Sequence, residues 1–316
     1  MKAVQFTNRG EAKIVDRETP VPGHDQILVR TRACGLCQYD MKCFTGAIDD
    51  EVYRTRPGHE GVGIVEEVGN AIEDIAPGDK VTSIHFGGAM AEYFTADRGS
   101  VEKIPPDVSE YEFWISEPVA CVVNALRQLQ IEPGERVVLI GCGYMGLLIL
   151  QGLPKSYIQR LAVIDVDSGR LRRAERFGAE AALDGREPGT VKAVREALGG
   201  AASLVIEAAG KPGTIETASE LLQQGGRLCI FGHHPGNEDL PTGTWHMKGI
   251  HVFNTTPYSS KNFHADLQAA VRLMERGVFD QKELINKTYA FSQVQEALEA
   301  FSSHPPAIVK TSLVLE

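Results

Sequence analysis

Residues 137–146, VVLIGCGYMG, limit what this chain can fold into more than any other stretch. Gly141, Gly143 and Gly146 form a G-x-G-x-x-G pattern after an apolar strand-like run, and the apolar helix-like run LLILQGL follows. A second strand-like run ends in Asp165, 19 residues past the last glycine. Strand, glycine turn, helix and a second strand ending in an acid make the arrangement that holds a dinucleotide. Gly141 makes the tight turn, Gly143 lets the backbone approach a pyrophosphate, and Gly146 lets helix and strand pack closely. Tyr144 and Met145 open a helix whose free N–H groups and positive dipole end suit phosphate. Asp165 is expected to accept hydrogen bonds from the adenosine ribose and to repel a 2′-phosphate. Val166 follows where an arginine would favour NADP, so NAD is the expected cofactor, with Arg170 as the residue that leaves NADP open.

The same style continues on both sides of that unit. From about residue 118, the apolar runs RVVLIG, LAVIDV, SLVIEAAG, GRLCIFG and IHVFNT alternate with helical stretches, among them TIETASELLQQ (214–224). In SGRLRRAERFG, Ser168 is placed to cap a helix, Leu171, Ala174 and Phe177 recur at helical spacing, and Gly178 ends it. Alternation of this kind predicts βαβ units and a parallel sheet covered on both faces. The first third is different. A hairpin around Asn8-Arg9-Gly10, then ILVRTRACG, GVGIVEEVG and DKVTSIHF, read as short strands between glycine and proline turns, a mostly β, barrel-like domain. After residue 253 come the helical stretches ADLQAAVRLMERG and QVQEALEAF and a last strand, IVKTSLVLE.

Composition narrows the function classes. A net charge of −10 opposes a polyanionic partner such as nucleic acid, which needs clustered Lys and Arg. The N-terminal residues carry no apolar signal segment, and no run reaches the roughly 18 apolar residues of a membrane span, so a cytoplasmic protein is expected. Six cysteines in 316 residues are no disulfide framework, and any special cysteine is expected to serve a site.

Three separated pieces carry metal-site chemistry: Cys34-Gly35-Leu36-Cys37-Gln38-Tyr39-Asp40, Gly58-His59-Glu60 and Glu117-Pro118. Cys37, His59 and either Glu60 or Glu117 offer thiolate, imidazole and carboxylate, the donor types of a zinc site that keeps one position open. Spacing alone leaves other readings: His59 as a structural histidine, or Cys34 and Cys37 as a redox pair or plain core.

Together these pieces resemble the zinc-dependent medium-chain dehydrogenase/reductase family. GHE with Gly63 and Gly69 after it is similar to the zinc alcohol dehydrogenase signature, and CGLCQYD, EPVA and GCGYMG come in the family's order and spacing over nearly the whole chain. The resemblance is closest to polyol dehydrogenases and short bacterial zinc-binding dehydrogenases. It implies an α/β chain, with a GroES-like β-rich catalytic domain (residues 1–118 and 254–316) and a doubly wound Rossmann domain (119–253). It implies Cys37 and His59 as zinc ligands, Glu117 or Glu60 as the third, and Asp40 as the carboxylate that orients the histidine. It puts Lys310 where a basic residue reaches the cofactor pyrophosphate.

Three departures from the family matter. Tyr39 replaces the small hydroxyl residue that passes on the alcohol proton, and either keeps that task or only walls the pocket. Lys42 stands where some relatives carry a relay histidine, and either ends the relay or lies on the surface. Residues 70–110 contain no cysteine, so the four-cysteine structural zinc lobe is missing and one zinc per chain is expected. His85 and Phe86, His233 and His234, and Trp114 are further candidates to line a pocket. The expected reaction is hydride exchange between NAD and a secondary alcohol bearing further hydroxyls, such as a polyol, sugar or cyclitol. The alternatives are a zinc-free quinone or enoyl reductase and a non-catalytic dinucleotide sensor. The apolar strand IHVFNT, last in order and shared with the family's subunit contact, leads to an expected homodimer or homotetramer.

Overall fold

The computed structural model describes residues 1–303 and 307–316. The chain divides into two compact units, Met1–Ala120 with Asn262–Glu316, and Cys121–Lys261. The expected boundaries were 118/119 and 253/254. The second lies later because residues beyond the last parallel strand stay tied to the Cys121–Lys261 unit, where Asn124 Nδ2 donates to the Thr256 carbonyl (2.7 Å) and Gln128 Nε2 to Ser259 Oγ (3.0 Å).

The first unit begins with the hairpin β1 (Lys2–Asn8) and β2 (Glu11–Asp16), turned at Gly10. Next come β3 (Gln26–Gly35), the helices α1 (Gln38–Thr45) and α2 (Glu51–Thr55), then β4 (Gly61–Val68), β5 (Lys80–Ser83), β6 (Tyr93–Asp97) and β7 (Val101–Lys103). The helix α3 (Glu117–Leu129) starts at the end of this stretch. Strand β3 is the hub: it pairs antiparallel with β4 and β6, and with a strand at Lys310–Val314 from the far end of the chain. The result is a branched seven-stranded sheet, and among the described residues no pairing closes it into a ring. Its core holds Ile27, Val29, Met90, Phe94 and Leu313, each at most 1% exposed. Each such side chain contributes roughly 1.5–3 kcal/mol by leaving water.

The second unit is the α/β sheet expected from its alternating runs. Its strands are β8 (Glu135–Ile140), β9 (Ile158–Asp165), β10 (Ala181–Asp184), β11 (Ala202–Glu207), β12 (Leu222–Ile230) and β13 (His251–Asn254). All are parallel, in the order β10-β9-β8-β11-β12-β13. The first strand is central and the order reverses beside it, which opens a crevice at the strands' carboxyl ends. The IHVFNT strand lies at the sheet edge. Two local expectations change. Asp167, not Ser168, caps α5 (Ser168–Arg176), because its carboxylate reaches the Arg170 N–H at 2.8 Å. Leu222, Gln223 and Gln224, read as helical, begin β12 instead, because Leu222 is already paired with Ala202 of β11. Among the described residues no helix is long and apolar enough to cross a membrane.

Candidate metal centre and dinucleotide site

The first site forms where β3 runs into α1. Strand Lys310–Val314 lies against the end of β3, with Ser312 opposite Gly35 and the Leu36 N–H donating to the Thr311 carbonyl at 2.9 Å. On the other side the Gly35 N–H donates to the Glu60 carbonyl at 3.1 Å. These bonds bring together residues from positions 35, 60 and 310. A Cβ on Gly35 would lie 1.9 Å from Glu60 Oε2, so a larger residue there would push the Glu60 carboxylate out of this position.

Ligand-type atoms of Cys37, His59 and Glu60 all lie within 4.8 Å of one another. His59 and Glu60 are buried and Cys37 is half-buried. Glu117, the other candidate, is half-buried in the first turn of α3. Its charge acts on both His59 and Lys310. Burial opposes the charged imidazole of His59. The Cys37 charge and hydrogen bond outweigh it, with the charges of Asp40 and Glu117, and hold that group well above its usual value. So many negative groups around one imidazole form a site that attracts a cation.

Lys310 departs from its expected place. Its side chain is 5% exposed, and its ammonium bonds a carboxylate of the cluster, Glu60, at 2.7 Å to Oε1 and 2.6 Å to Oε2. The cause is the register of the last strand beside Gly35. Burial opposes the charged ammonium, but the Glu60 charge, with those of Cys37 and Glu117, holds it above its usual value.

The hydrogen bonds around His59 also differ from expectation. Asp40 is fully buried, and its Oδ2 accepts the Cys37 N–H at 2.7 Å. Its other oxygen does not meet the histidine. Tyr53 stands between: its hydroxyl is 2.6 Å from Asp40 Oδ1 and 2.7 Å from His59 Nδ1. Burial and the Asp40 charge push the Tyr53 phenol far up, so it keeps its proton. Tyr39 donates to Asp50 Oδ2 at 2.8 Å. Burial and that bond raise Tyr39 too. The Tyr53 N–H and Tyr39 hydroxyl hold the Asp50 carboxyl below its usual value. Lys42, the expected relay end, lies half-buried in the last turn of α1, and the single proton of Tyr39 points at Asp50. Sequence reasoning missed Tyr53 and Asp50. The available signal was the D-x-x-Y pattern in which Asp50 caps α2 and accepts from the Tyr53 N–H at 2.9 Å.

Phe86 covers this cluster. Its ring stacks on His59 with centroids 5.4 Å apart and packs on Tyr53 (4.9 Å) and Tyr39 (5.3 Å), while the residue is 55% exposed. His85 beside it is half-buried, and burial lowers its pKa. Trp114 is half-buried in a short turn, Tyr111–Trp114.

The second site belongs to the Cys121–Lys261 unit. Gly141 has φ +94°, and a Cβ there would meet the Ala209 nitrogen at 2.6 Å. A Cβ on Gly146 would lie 2.0 Å from the Gly141 carbonyl, so this glycine lets α4 (Tyr144–Gly152) pack on its strand. Gly143 caps α4 and has open space above it. Tyr144 is buried and Met145 half-buried in the first turn. Asp165 ends β9; its Oδ2 accepts from the Cys142 N–H (2.6 Å) and its Oδ1 from the Asp167 N–H (2.9 Å). Arg170 is half-buried in the first turn of α5. His234 lies between two carboxylates, with Nε2 2.8 Å from the buried Glu207 and Nδ1 2.9 Å from Glu238.

Two family models match the chain. Residues 23–106 match the alcohol dehydrogenase GroES-like domain, and residues 145–276 match the zinc-binding dehydrogenase domain. A zinc-type alcohol dehydrogenase-like protein of Escherichia coli K12 is 26% identical over 337 residues, covering 95% of this chain and 95% of its own. Sorbitol dehydrogenase of Bacillus subtilis 168 is 23% identical, covering 95% and 93%. Among solved structures, a zinc-binding dehydrogenase from Sinorhizobium meliloti 1021, bound to NADP, superposes with a TM-score of 0.87 at 24% identity, over 99% of this chain and 98% of that one. That last likeness is one of fold.

Proposed function

The chain belongs to the zinc-dependent medium-chain dehydrogenase/reductase family, and from that premise we propose that it interconverts an alcohol and a carbonyl compound with a nicotinamide cofactor. The observation that carries the reading is the convergence of Cys37, His59 and Glu60 within 4.8 Å. The donor set fits zinc: a thiolate, an imidazole and a carboxylate, with Glu117 as a second carboxylate. Zinc held there supplies Lewis acidity toward an alcohol or carbonyl oxygen. Cys37 and His59 are the ligands in this reading, joined by Glu60 or Glu117.

The chain's own groups handle the proton. Tyr39 keeps its phenol proton and can both accept and donate, so it passes a proton from the substrate hydroxyl to Asp50 Oδ2. Asp50 is half-buried and hands the proton to water. Phe86 and Tyr39 form an aromatic wall beside His59, which keeps water from that side.

On the cofactor side, Gly141, Gly143 and Gly146, with Tyr144 and Met145, present the α4 N-terminus to the pyrophosphate. Asp165 keeps lone pairs for the ribose hydroxyls, and its charge disfavours a 2′-phosphate, so NAD is preferred. The relative from S. meliloti carries NADP, and Arg170 is the residue here that would favour it. The substrate we propose is a secondary alcohol with further hydroxyls, supported by the similarity to sorbitol dehydrogenase. We propose a homo-oligomer, with β13 as the strand available for pairing.

The test is formation of NADH by zinc-loaded protein across pooled polyols, cyclitols and simple alcohols, repeated with NADP. Turnover on a polyol pool with NAD preferred supports the reading. Turnover confined to simple alcohols removes the polyol assignment, and NADP preference removes the role given to Asp165.

A further inference from the structure

We infer that Tyr53 is the positioning residue that fixes the tautomer of His59 and so makes its Nε2 a metal ligand. The inference rests on the metal-site reading above and concerns a residue that the family resemblance does not single out.

The argument is a count of hydrogen-bonding capacity at one oxygen. A phenol has one proton to give and two lone pairs to receive. The Tyr53 hydroxyl has three partners: Asp40 Oδ1 at 2.6 Å, His59 Nδ1 at 2.7 Å and the Gly58 N–H at 3.1 Å. The Gly58 amide can only donate, so it takes one lone pair. Asp40 already accepts the Cys37 N–H through its other oxygen, and its Oδ1 takes the phenol proton. One lone pair remains, and it faces His59 Nδ1. That nitrogen must therefore carry a hydrogen, so a metal held beside Cys37 and Glu60 takes the other nitrogen, Nε2, in place of any proton there. Imidazole binds a metal through one nitrogen while the other is held by a carboxylate, carbonyl or water. Here a phenol does the holding and passes the carboxylate's influence on.

The local sequence explains how Tyr53 reaches that place. Asp50 caps α2 through the Tyr53 N–H, and the ring is clamped against Tyr39 and Phe86, with centroids 4.9 Å away in both cases. Tyr53 is 3% exposed, so water cannot substitute for its hydroxyl.

Two substitutions separate this role from simple packing. Tyr53→Phe keeps the ring and removes only the oxygen. Asp40→Asn keeps the shape but reverses the chain of bonds. The Cys37 N–H demands the amide oxygen of an asparagine at position 40, which turns its NH2 toward Tyr53. The phenol then gives its proton to Nδ1, and the hydrogen of His59 moves to Nε2, where it blocks the metal.

The experiment measures zinc affinity by chelator competition, together with nitrogen-15 histidine spectra of the zinc-loaded full chain. Wild type should show a protected Nδ1-bound hydrogen on His59. Tyr53→Phe should lose zinc affinity by about 10- to 100-fold, the usual effect of losing such a partner, and lose the protection. Asp40→Asn should lose at least as much. Unchanged affinity in both variants, or no Nδ1-bound hydrogen in wild type, overturns the inference while the metal site stands. A wild type that takes up no zinc, or a Cys37→Ala variant that binds it as well, overturns the metal site and this inference with it.

Discussion

Replacing Lys310 by methionine should destabilise the Met1–Ala120/Asn262–Glu316 unit by about 3–5 kcal/mol in the metal-free protein, the usual cost of removing one partner of a buried pair. The ammonium lies 2.6 and 2.7 Å from the two oxygens of Glu60, and the two side chains are 5% and 2% exposed. At that separation the gross attraction is about 6 kcal/mol for an effective dielectric of about 20. Most of it offsets the cost of taking both charges out of water, so the pair itself adds little. Removing only the lysine is different, because it leaves the Glu60 charge buried with its countercharge gone. The double variant Glu60→Met/Lys310→Met, which removes both charges, should recover more than half of the loss. Urea unfolding followed by tryptophan fluorescence can measure this. The chain has two tryptophans, so a Trp245→Phe background leaves Trp114 to report on this unit. With an m-value of about 2 kcal/mol per molar, the midpoint should fall by roughly 1.5–2.5 M. Zinc should shrink the deficit, because a cation beside Glu60 partly replaces the lysine. A Lys310→Met midpoint equal to wild type, or a double variant no better than the single, refutes this reasoning.

Asp50→Asn should keep the α2 cap but lose the proton acceptor for Tyr39, lowering kcat by about 100-fold with KM little changed; equal kcat in steady-state assays removes Asp50 from the proton route. Asp165→Ser cannot hold both the Cys142 and Asp167 N–H groups, and should weaken NAD binding about 10- to 100-fold while narrowing the preference over NADP, read by titration with each cofactor. His234 gives a pH dependence. Burial opposes its charged form, but the hydrogen bonds to Glu207 and Glu238 raise its pKa above 6.5. A raised folded-state value means the contribution is complete below pH 6.5 and is lost as pH rises through that higher value. Thermal melts of the NAD-binding unit should therefore fall with rising pH in that window, and His234→Gln should flatten the slope; parallel slopes would show that the histidine carries none of it.

The fold was legible because each local signal agreed with the global one. The apolar runs from Val137 onward alternate with helical stretches, and a parallel sheet in the 3-2-1-4-5-6 order followed. The glycines at 141 and 146 had the positions their steric roles require. The metal cluster was legible as a set of residue types, because Cys37, His59 and Glu60 sit in recognisable motifs. Its wiring was not. Tyr53 reaches His59 only because a five-residue helix turns it inward, and no periodicity in so short a segment announces that. Lys310 joins Glu60 across 250 residues of chain through the register of the last strand beside Gly35, which one sequence does not reveal. The helix cap slipped from Ser168 to Asp167 because both are capping residues and only the backbone direction decides between them.

The central claim is that alcohol–carbonyl chemistry depends on a metal held by Cys37 and His59. The most direct test measures zinc per chain and turnover with NAD on the same samples: wild type, chelator-stripped wild type, Cys37→Ala and His59→Ala. The account predicts one zinc per wild-type chain, loss of metal and turnover together in the other three, and recovery of the stripped wild type alone on adding zinc. Turnover that persists in stripped protein, or zinc retained in both variants, would contradict it.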